Sequence, residues 1–277
     1  MSKRKNNLVV HAVLLIVGLI IIFPFIWSIS LSFERLYTNS LPIPPRFLPL
    51  EPTLFNYMVA LKNMNVFKYA MNTTYIGFMG TILSLFVNTM AAFAISKGTL
   101  RFKNVFMIYF LTTMMIPGEV RIMSMFSIIK GMHLLNTYTA AFLPAVVCGG
   151  FTIFFIKSYI DVLPDSLYES AVIEGASLFR IYGSIFLPLM KAVIIANMIL
   201  GFIGLWNDFL WPLVVLGSDQ KRTLTLAMAA FQGNATSGIH PGIAMSISLM
   251  STIPLFILFI FLQKHIVQSI AFSGIKE

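Results

Sequence analysis

Cysteine is nearly absent from this chain: its 277 residues hold one, Cys148, which can close no disulfide within the molecule. Charge is scarce too. Asp and Glu together number 10 and Lys and Arg 19, so charged residues make up 10% of the chain against 58% hydrophobic. A soluble domain carries about a quarter charged residues, and this balance excludes one; it specifies a polytopic membrane protein. The excess of nine positive charges is scattered among short segments rather than massed on one patch, which argues against a nucleic-acid partner. No Gly-x-x-x-x-Gly-Lys-[Ser/Thr] run occurs, nor any Gly-Lys pair, so the chain has no phosphate-cradling loop of its own. His11, His133, His240 and His265 are dispersed, without the clustered spacing of a metal site, and no Gly-x-Ser-x-Gly elbow is present. No catalytic residue, metal ligand or cofactor-binding residue is therefore expected. Energy for any transport must come from a separate subunit or from an ion gradient.

What the chain has is long apolar runs. About twenty such residues span a bilayer core, and six stretches meet that length: 8–33, 71–96, 105–120, 138–159, 192–216 and 242–263. The third is the shortest and can run past Glu119 and Arg121 into an amphipathic piece, 122–137. There Met123, Phe126, Ile128 and Ile129 hold helical register beside Lys130 and His133, as in a helix lying at the membrane interface. Lys3, Arg4 and Lys5 ahead of the first run mimic a signal peptide, but no small-residue cleavage site follows and the run is long enough to span. An even helix number puts both ends on one side. With that side inside, eleven Lys and Arg face inward and eight outward, a modest positive-inside bias that places the N- and C-termini in the cytoplasm.

Between the runs, 34–70 is expected to be an outer loop, held extended over 41–53 by prolines 42, 44, 45, 49 and 52. A second outer loop, 217–241, is rich in Gly, Ser and Asn, and a polar tail is expected after 263. Pro144, Gly149 and Gly150 interrupt the fourth run, where a hinge and a close-packing seam predict the same residues. In the fifth, LWNDFLWPL at 205–213 sets Asp208 near mid-span, and Pro212 leaves the Asp208 carbonyl without its helical donor. Trp206 and Trp211 flank this polar spot. Tryptophan faces with the Asn207 and Asp208 edges can hold a hydroxylated ring, or Asn207 and Asp208 can satisfy the kinked backbone and a neighbouring helix; both readings stay open.

The longest interruption with the marks of folded sequence is 164–188, PDSLYESAVIEGASLFRIYGSIFLP. Asp165 is placed to cap a helix whose first turn carries Glu169. Gly175 permits a sharp turn. Ser177 can cap a second short helix in which Leu178, Ile181, Tyr182 and Ile185 recur on one apolar face. With Ser170, Ala171, Ala176 and Ser177 small at the bend, the two helices form a compact knob suited to a groove on another protein.

This segment resembles the EAA loop of binding-protein-dependent ABC transporter permeases, with the pattern Glu-Ala-Ala, three residues, Gly, nine residues, Ile-x-Leu-Pro. Glu169, Ala171, Gly175, Ile185, Leu187 and Pro188 fall on that spacing; Ser170 stands for the first alanine and Glu174 for the aspartate often found before the glycine. The resemblance implies that Glu169, Ser170, Ala171, Glu174, Gly175, Ala176, Ile185, Leu187 and Pro188 couple to a cytoplasmic ATPase subunit. The stretch 72–104 is similar to the second helix and first inner turn of the sugar-type subgroup, and 206–209 to its Trp-Asn-x-Phe segment, which marks Trp206, Asn207 and Asp208 as a candidate substrate path. In that subgroup the loop at 227–238 can insert into the binding protein, and Ser273, Gly274 and Lys276 loosely fit a tail at the ATPase interface, with Glu277 departing from it.

The implied fold is an all-α polytopic membrane protein, a single importer transmembrane domain over 1–277 with six helices and a cytoplasmic coupling loop at 164–188. The implied partners are a second, non-identical permease, two ATP-binding subunits that hold ATP and Mg, an extracellular or periplasmic sugar-binding protein, and the lipid bilayer of the cell membrane. The implied activity is ATP-driven import of a sugar, an oligosaccharide. The alternative, an ion-coupled secondary transporter, calls for internal repeats and several intramembrane charges, and neither is evident.

Overall fold

In lipid every backbone N–H and C=O must find its partner within its own segment, so an apolar run of this kind has one stable form, the α-helix. The computed structural model describes residues 2–35, 40–233 and 240–274, and among these no strand occurs. Three helices are individually long and apolar enough to cross a membrane, within α1 (Ser2–Phe33), α3 (Val66–Lys97) and α14 (Pro241–Gly274). Three bent helix pairs each pass the same test together, so the spans number up to six when each pair is taken as one. The pair α4 (Lys103–Met115) and α5 (Gly118–Gly131) turns by 108°, and α6 (Tyr138–Val147) and α7 (Gly150–Val162) by 42°. The third pair turns by 78°, between Leu178–Leu189 and the helix at Lys191–Asn207, α11 below. The all-helical class and the six-span organisation stand.

Several boundaries differ from the expectation. Helix α4 ends at Met115, because Pro117 stops it and starts α5; Glu119 and Arg121 fall inside α5, which ends at Gly131 where a helix over 122–137 was expected. The stretch 34–70 contains a helix, α2 (Phe55–Asn63). Helix α14 runs on to Gly274, where a tail was expected from 263. The expected loop 217–241 holds a short 3₁₀ turn, Asp219–Lys221, and a helix at Leu224–Gly233. Residues 234–238 of the loop read as inserting into a binding protein, and 275–277 of the tail, lie outside the described residues.

By its internal packing the chain divides into two units, Met1–Lys68 with Ala227–Pro254, and Tyr69–Leu226 with Leu255–Glu277. In the first, the proline-rich stretch is fastened to the end of α1. The Leu50 N–H donates to buried Glu34 at 2.7 Å, and Thr53 N–H to the Phe33 carbonyl at 2.7 Å. Asn56, 1% exposed, donates to the carbonyls of Ser32 and Glu34, both at 2.9 Å. A Cβ on Gly242 would lie 2.5 Å from that same amide, so only glycine lets α14 start there.

The second unit is assembled on α3. Small residues let helices approach where no hydrophobic drive exists in lipid: a Cβ on Gly77 would lie 2.9 Å from the Phe202 ring, and one on Gly80 2.7 Å from Leu205. The first turns of α3 also collect polar ties. Tyr69 donates to Asp219 at 3.0 Å, Asn72 to the carbonyls of Gln220 and Arg222, and Thr73 accepts from Leu224 N–H at 2.8 Å.

Candidate functional site

The 164–188 segment folds as α8 (Ser166–Ile173), a tight turn, α9 (Leu178–Ile181), a π-helical turn at Tyr182–Phe186 and α10 (Leu187–Leu189), which leads into α11 (Lys191–Asn207). Gly175 has φ +75°. Its N–H donates to the Val172 carbonyl and the Ala176 N–H to that of Ala171, both at 3.0 Å. That pair of bonds is the Schellman arrangement, which closes a helix on a left-handed glycine. Ser177 caps α9 by accepting from the Arg180 N–H at 3.4 Å. Pro188 has no N–H to donate back to Ser184, and the wide turn ends just before it.

Asp165 does not cap α8 as its residue type suggests. It already has helical backbone angles and makes no side-chain cap bond; its carboxylate pairs instead with Lys97 at the end of α3. The Lys97 side chain is 8% exposed and its ammonium lies 6.0 Å from the Phe186 ring centroid. One residue earlier, Ser96 donates to Asp161 at 2.5 Å, and Lys157 reaches the other oxygen of the same carboxylate at 2.6 Å. The last turn of α3 thus holds the end of α7 and both ends of the knob.

The knob has an inward and an outward face. Ala171, Ile181, Tyr182, Phe186 and Met190 are buried with Ala92, Phe93 and Ile95 of α3 and Ile153, Ile156 and Ile160 of α7. Within that cluster the Tyr182 hydroxyl meets Thr89 at 2.7 Å and the Phe93 ring packs on Phe186 at 5.1 Å. Of the expected apolar face, Ile181 and Tyr182 are buried, Ile185 is half-buried and Leu178 is exposed. The outward face carries Glu169, Ser170, Glu174 and Gly175, with Leu187 and Pro188 also exposed and Ala176 half-buried. Two apolar side chains missed in the sequence project beside them: Ile173, 85% exposed, and Phe179, 75%. Their signal was that both are apolar yet off the register of the buried face. An apolar tip rimmed by carboxylates marks a docking surface rather than a solvated loop.

At the second predicted spot the kink is a complete break. Asp208 is extended, with ψ 129°, and a new helix, α12 (Leu210–Val215), begins two residues on. The Asp208 carboxylate accepts from the Trp211 N–H at 3.4 Å, capping α12. The Trp211 indole donates to the Ala140 carbonyl at 2.8 Å. That carbonyl is one residue type's consequence: Pro144, four residues on, has no N–H to give it. Trp206 is 3% exposed and stacked on Phe202 at 5.7 Å, while Asn207 is exposed and Asp208 half-buried. None of Trp206, Asn207 and Asp208 lines the cavity of about 260 Å³ that lies among α3, the α6–α7 break and α11. Among the described residues no three His, Cys, Asp or Glu come together as a metal would require.

Residues 88–272, which include the whole knob, match the family model of the binding-protein-dependent transport system inner membrane component. The chain belongs to that family. It is 31% identical to the arabinooligosaccharides transport system permease AraQ of Halalkalibacterium halodurans, over 99% of each chain. It is equally identical to the trehalose/maltose transport system permease MalG of Thermococcus litoralis, over 97% of this chain and 98% of that one. The diacetylchitobiose uptake permease NgcG of Streptomyces coelicolor is 29% identical, over 98% and 89%. The fold of the present chain is similar to that of a chain in a bacterial ABC transporter involved in the import of the acidic polysaccharide alginate, with a TM-score of 0.81, 23% identity and coverage of 95% of this chain and 97% of that one. As an inner membrane transport component the chain is a multi-pass membrane protein and not an enzyme. Dependence on a binding protein gives no support to the ion-coupled alternative.

Proposed function

We propose that this inner membrane component is a permease subunit of an ATP-driven importer of oligosaccharides. It forms the translocation path with a second, non-identical permease, receives sugar from an extracellular or periplasmic binding protein, and couples to two cytoplasmic ATP-binding subunits that hold ATP and Mg. Relatives named for arabinooligosaccharides, trehalose or maltose, and diacetylchitobiose support the sugar class. The observation that carries the coupling role is the two-faced knob. Its inner side is packed against α3 and α7, so it moves as one body with them, and its outer side offers Ile173 and Phe179 among Glu169 and Glu174.

In this reading Glu169, Ser170, Ala171, Glu174, Gly175 and Ala176 form the contact and bend, and Ile185, Leu187 and Pro188 set the knob's exit into α11. Closure of the ATP-binding subunits carries the knob inward, and the attached helices tilt to open the path outward. Trp206, Asn207 and Asp208, at the break between α11 and α12, are the candidate residues of that path. The distribution of Lys and Arg supports cytoplasmic N- and C-termini, with the knob on the same side.

The test is sugar uptake by cells or proteoliposomes containing the assembled transporter. Glu169→Lys and Gly175→Asp are expected to abolish uptake while the complex still reaches the membrane. Undiminished uptake in both variants refutes the coupling role. Labelling of a cysteine placed at 175 from outside intact cells refutes the orientation.

A further inference from the structure

We propose that the cavity among α3, the α6–α7 break and α11 is a binding subsite for one uncharged, hydroxyl-bearing ring of the transported sugar. The inference rests on the oligosaccharide-importer reading and names a place and a charge class for the substrate.

The first support is a hydroxyl without a partner. Thr81 is 3% exposed, lines the cavity, and its Oγ1 makes no hydrogen bond. A threonine in a membrane helix has a ready outlet, the carbonyl four residues back. On the same helix Thr73, Thr74 and Thr89 all take it, at 2.6 to 2.8 Å. Thr81 does not. Gly201 stands opposite, where a Cβ would come into ordinary contact with this hydroxyl at 3.6 Å.

The second support is broken backbone at membrane depth. Helices α6 and α7 are separated by Cys148 and Gly149, whose backbones leave the regular helix in the middle of an apolar run. Such backbone is tolerated only where protein buries it or a polar cavity receives it, and both residues line the cavity. Broken spans of this kind are where membrane transporters place substrate.

The remaining polar groups are arranged to serve a ligand with many hydroxyls. Ser84 accepts from Asn88 at 2.9 Å, which leaves its own proton to donate. Asn197 gives its amide N–H to the Val193 carbonyl at 2.9 Å, which leaves its amide oxygen as acceptor. None of the thirteen lining residues is charged. A uronate carboxylate would be stripped of water here with no cation to meet it, so the subsite suits neutral saccharides and excludes acidic ones. At about 260 Å³ it is just below the ~300 Å³ at which ordinary ligand pockets begin, room for one ring rather than a chain.

The chain carries its own reporter, since its single cysteine, Cys148, lines the cavity and is exposed. The assembled transporter, with cysteine-free partners, is placed in proteoliposomes with binding protein and ATP and labelled with N-ethylmaleimide. Arabinotriose, maltose and diacetylchitobiose are tested for uptake beside an alginate trisaccharide. The expected result is that the transported neutral sugar slows Cys148 labelling during turnover and the alginate oligomer does not. Thr81→Val, which removes the hydroxyl and keeps the shape, is expected to abolish that protection and lower uptake about 3- to 10-fold at saturating binding protein. Thr81→Ser should restore both. Uptake of a neutral sugar by the unaltered chain with no protection of Cys148 overturns the subsite and leaves the importer reading standing. So does a Cys148 that is unreactive with or without sugar, which means the companion permease fills the cavity. Absence of uptake of all three neutral sugars overturns the importer reading and the subsite together.

Discussion

Replacing Gly175 separates a backbone cost from a contact cost. The residue sits at φ +75°, where an L-residue is disfavoured by about 1–2 kcal/mol. A Cβ built on it meets nothing within 4 Å. The penalty at the Cβ is therefore conformational, and because Gly175 is exposed a longer side chain has solvent to enter. Gly175→Ala and Gly175→Leu should open the turn about 5- to 30-fold more often, and Gly175→Asn less, because Asn tolerates the left-handed region. The turn's own hydrogen bond reports this directly: the Ala176 N–H, bonded to the Ala171 carbonyl at 3.0 Å, is released when the turn opens. Hydrogen exchange of the 172–178 backbone in the purified chain measures the opening. Equal acceleration in the Ala and Leu variants supports the reasoning. Exchange graded with side-chain volume, or unchanged in the Ala variant, refutes it, because the turn would then be held by contacts rather than by its dihedral angles.

Other expectations follow from single contacts. Lys97→Met removes the partner of Asp165, whose side chain is 78% exposed; the stability loss should be within about 1 kcal/mol. Sugar taken up per ATP hydrolysed should fall all the same, because the start of the knob loses its charged tie to α3, and Lys97→Arg should restore the ratio. Trp211→Phe deprives the Ala140 carbonyl of its donor and should cost about 0.6–1.7 kcal/mol in thermal unfolding in detergent. Pro144→Ala in the same chain supplies the missing N–H and should recover part of that loss; no recovery contradicts the proline account. Gly149→Ala puts a Cβ 2.1 Å from the amide of Asn88, and should destabilise by about 1–3 kcal/mol through overpacking. Gly204→Ala, with open space at its Cβ, should not.

What the sequence made legible was what neighbours in the chain decide. Six apolar runs became spans because length alone forces a helix in lipid. The knob was readable because Gly175 and Ser177 act within four residues of themselves, one through its dihedral and one through its cap. Asp165 went the other way: residue type marks it as a cap, but Lys97, 68 positions earlier, offers a charge that a backbone N–H cannot match. Helix α2 was hidden because Asn56 reads as a loop residue, while its buried amide is what ties the helix to two carbonyls at the end of α1. Leu224 and Leu226 likewise sit in a segment that reads as polar, and their burial, 1% and 4% exposed, is what makes it helical. The fifth run shows the limit most directly. Pro212 announces that a hydrogen bond is missing, but it does not say whether the helix bends or stops. The break at Asp208 is stable because its carboxylate caps α12 and because Trp211 finds the carbonyl that Pro144 freed on another helix. The Trp211 indole thus meets a carbonyl freed by a proline on another helix, a pairing that periodicity cannot carry. The same holds for Trp206, whose ring looked free to stack on a ligand and is instead stacked on Phe202. Polar groups that meet across helices therefore decide where these spans break, and the breaks decide where a hydrophilic substrate can be held in an apolar protein.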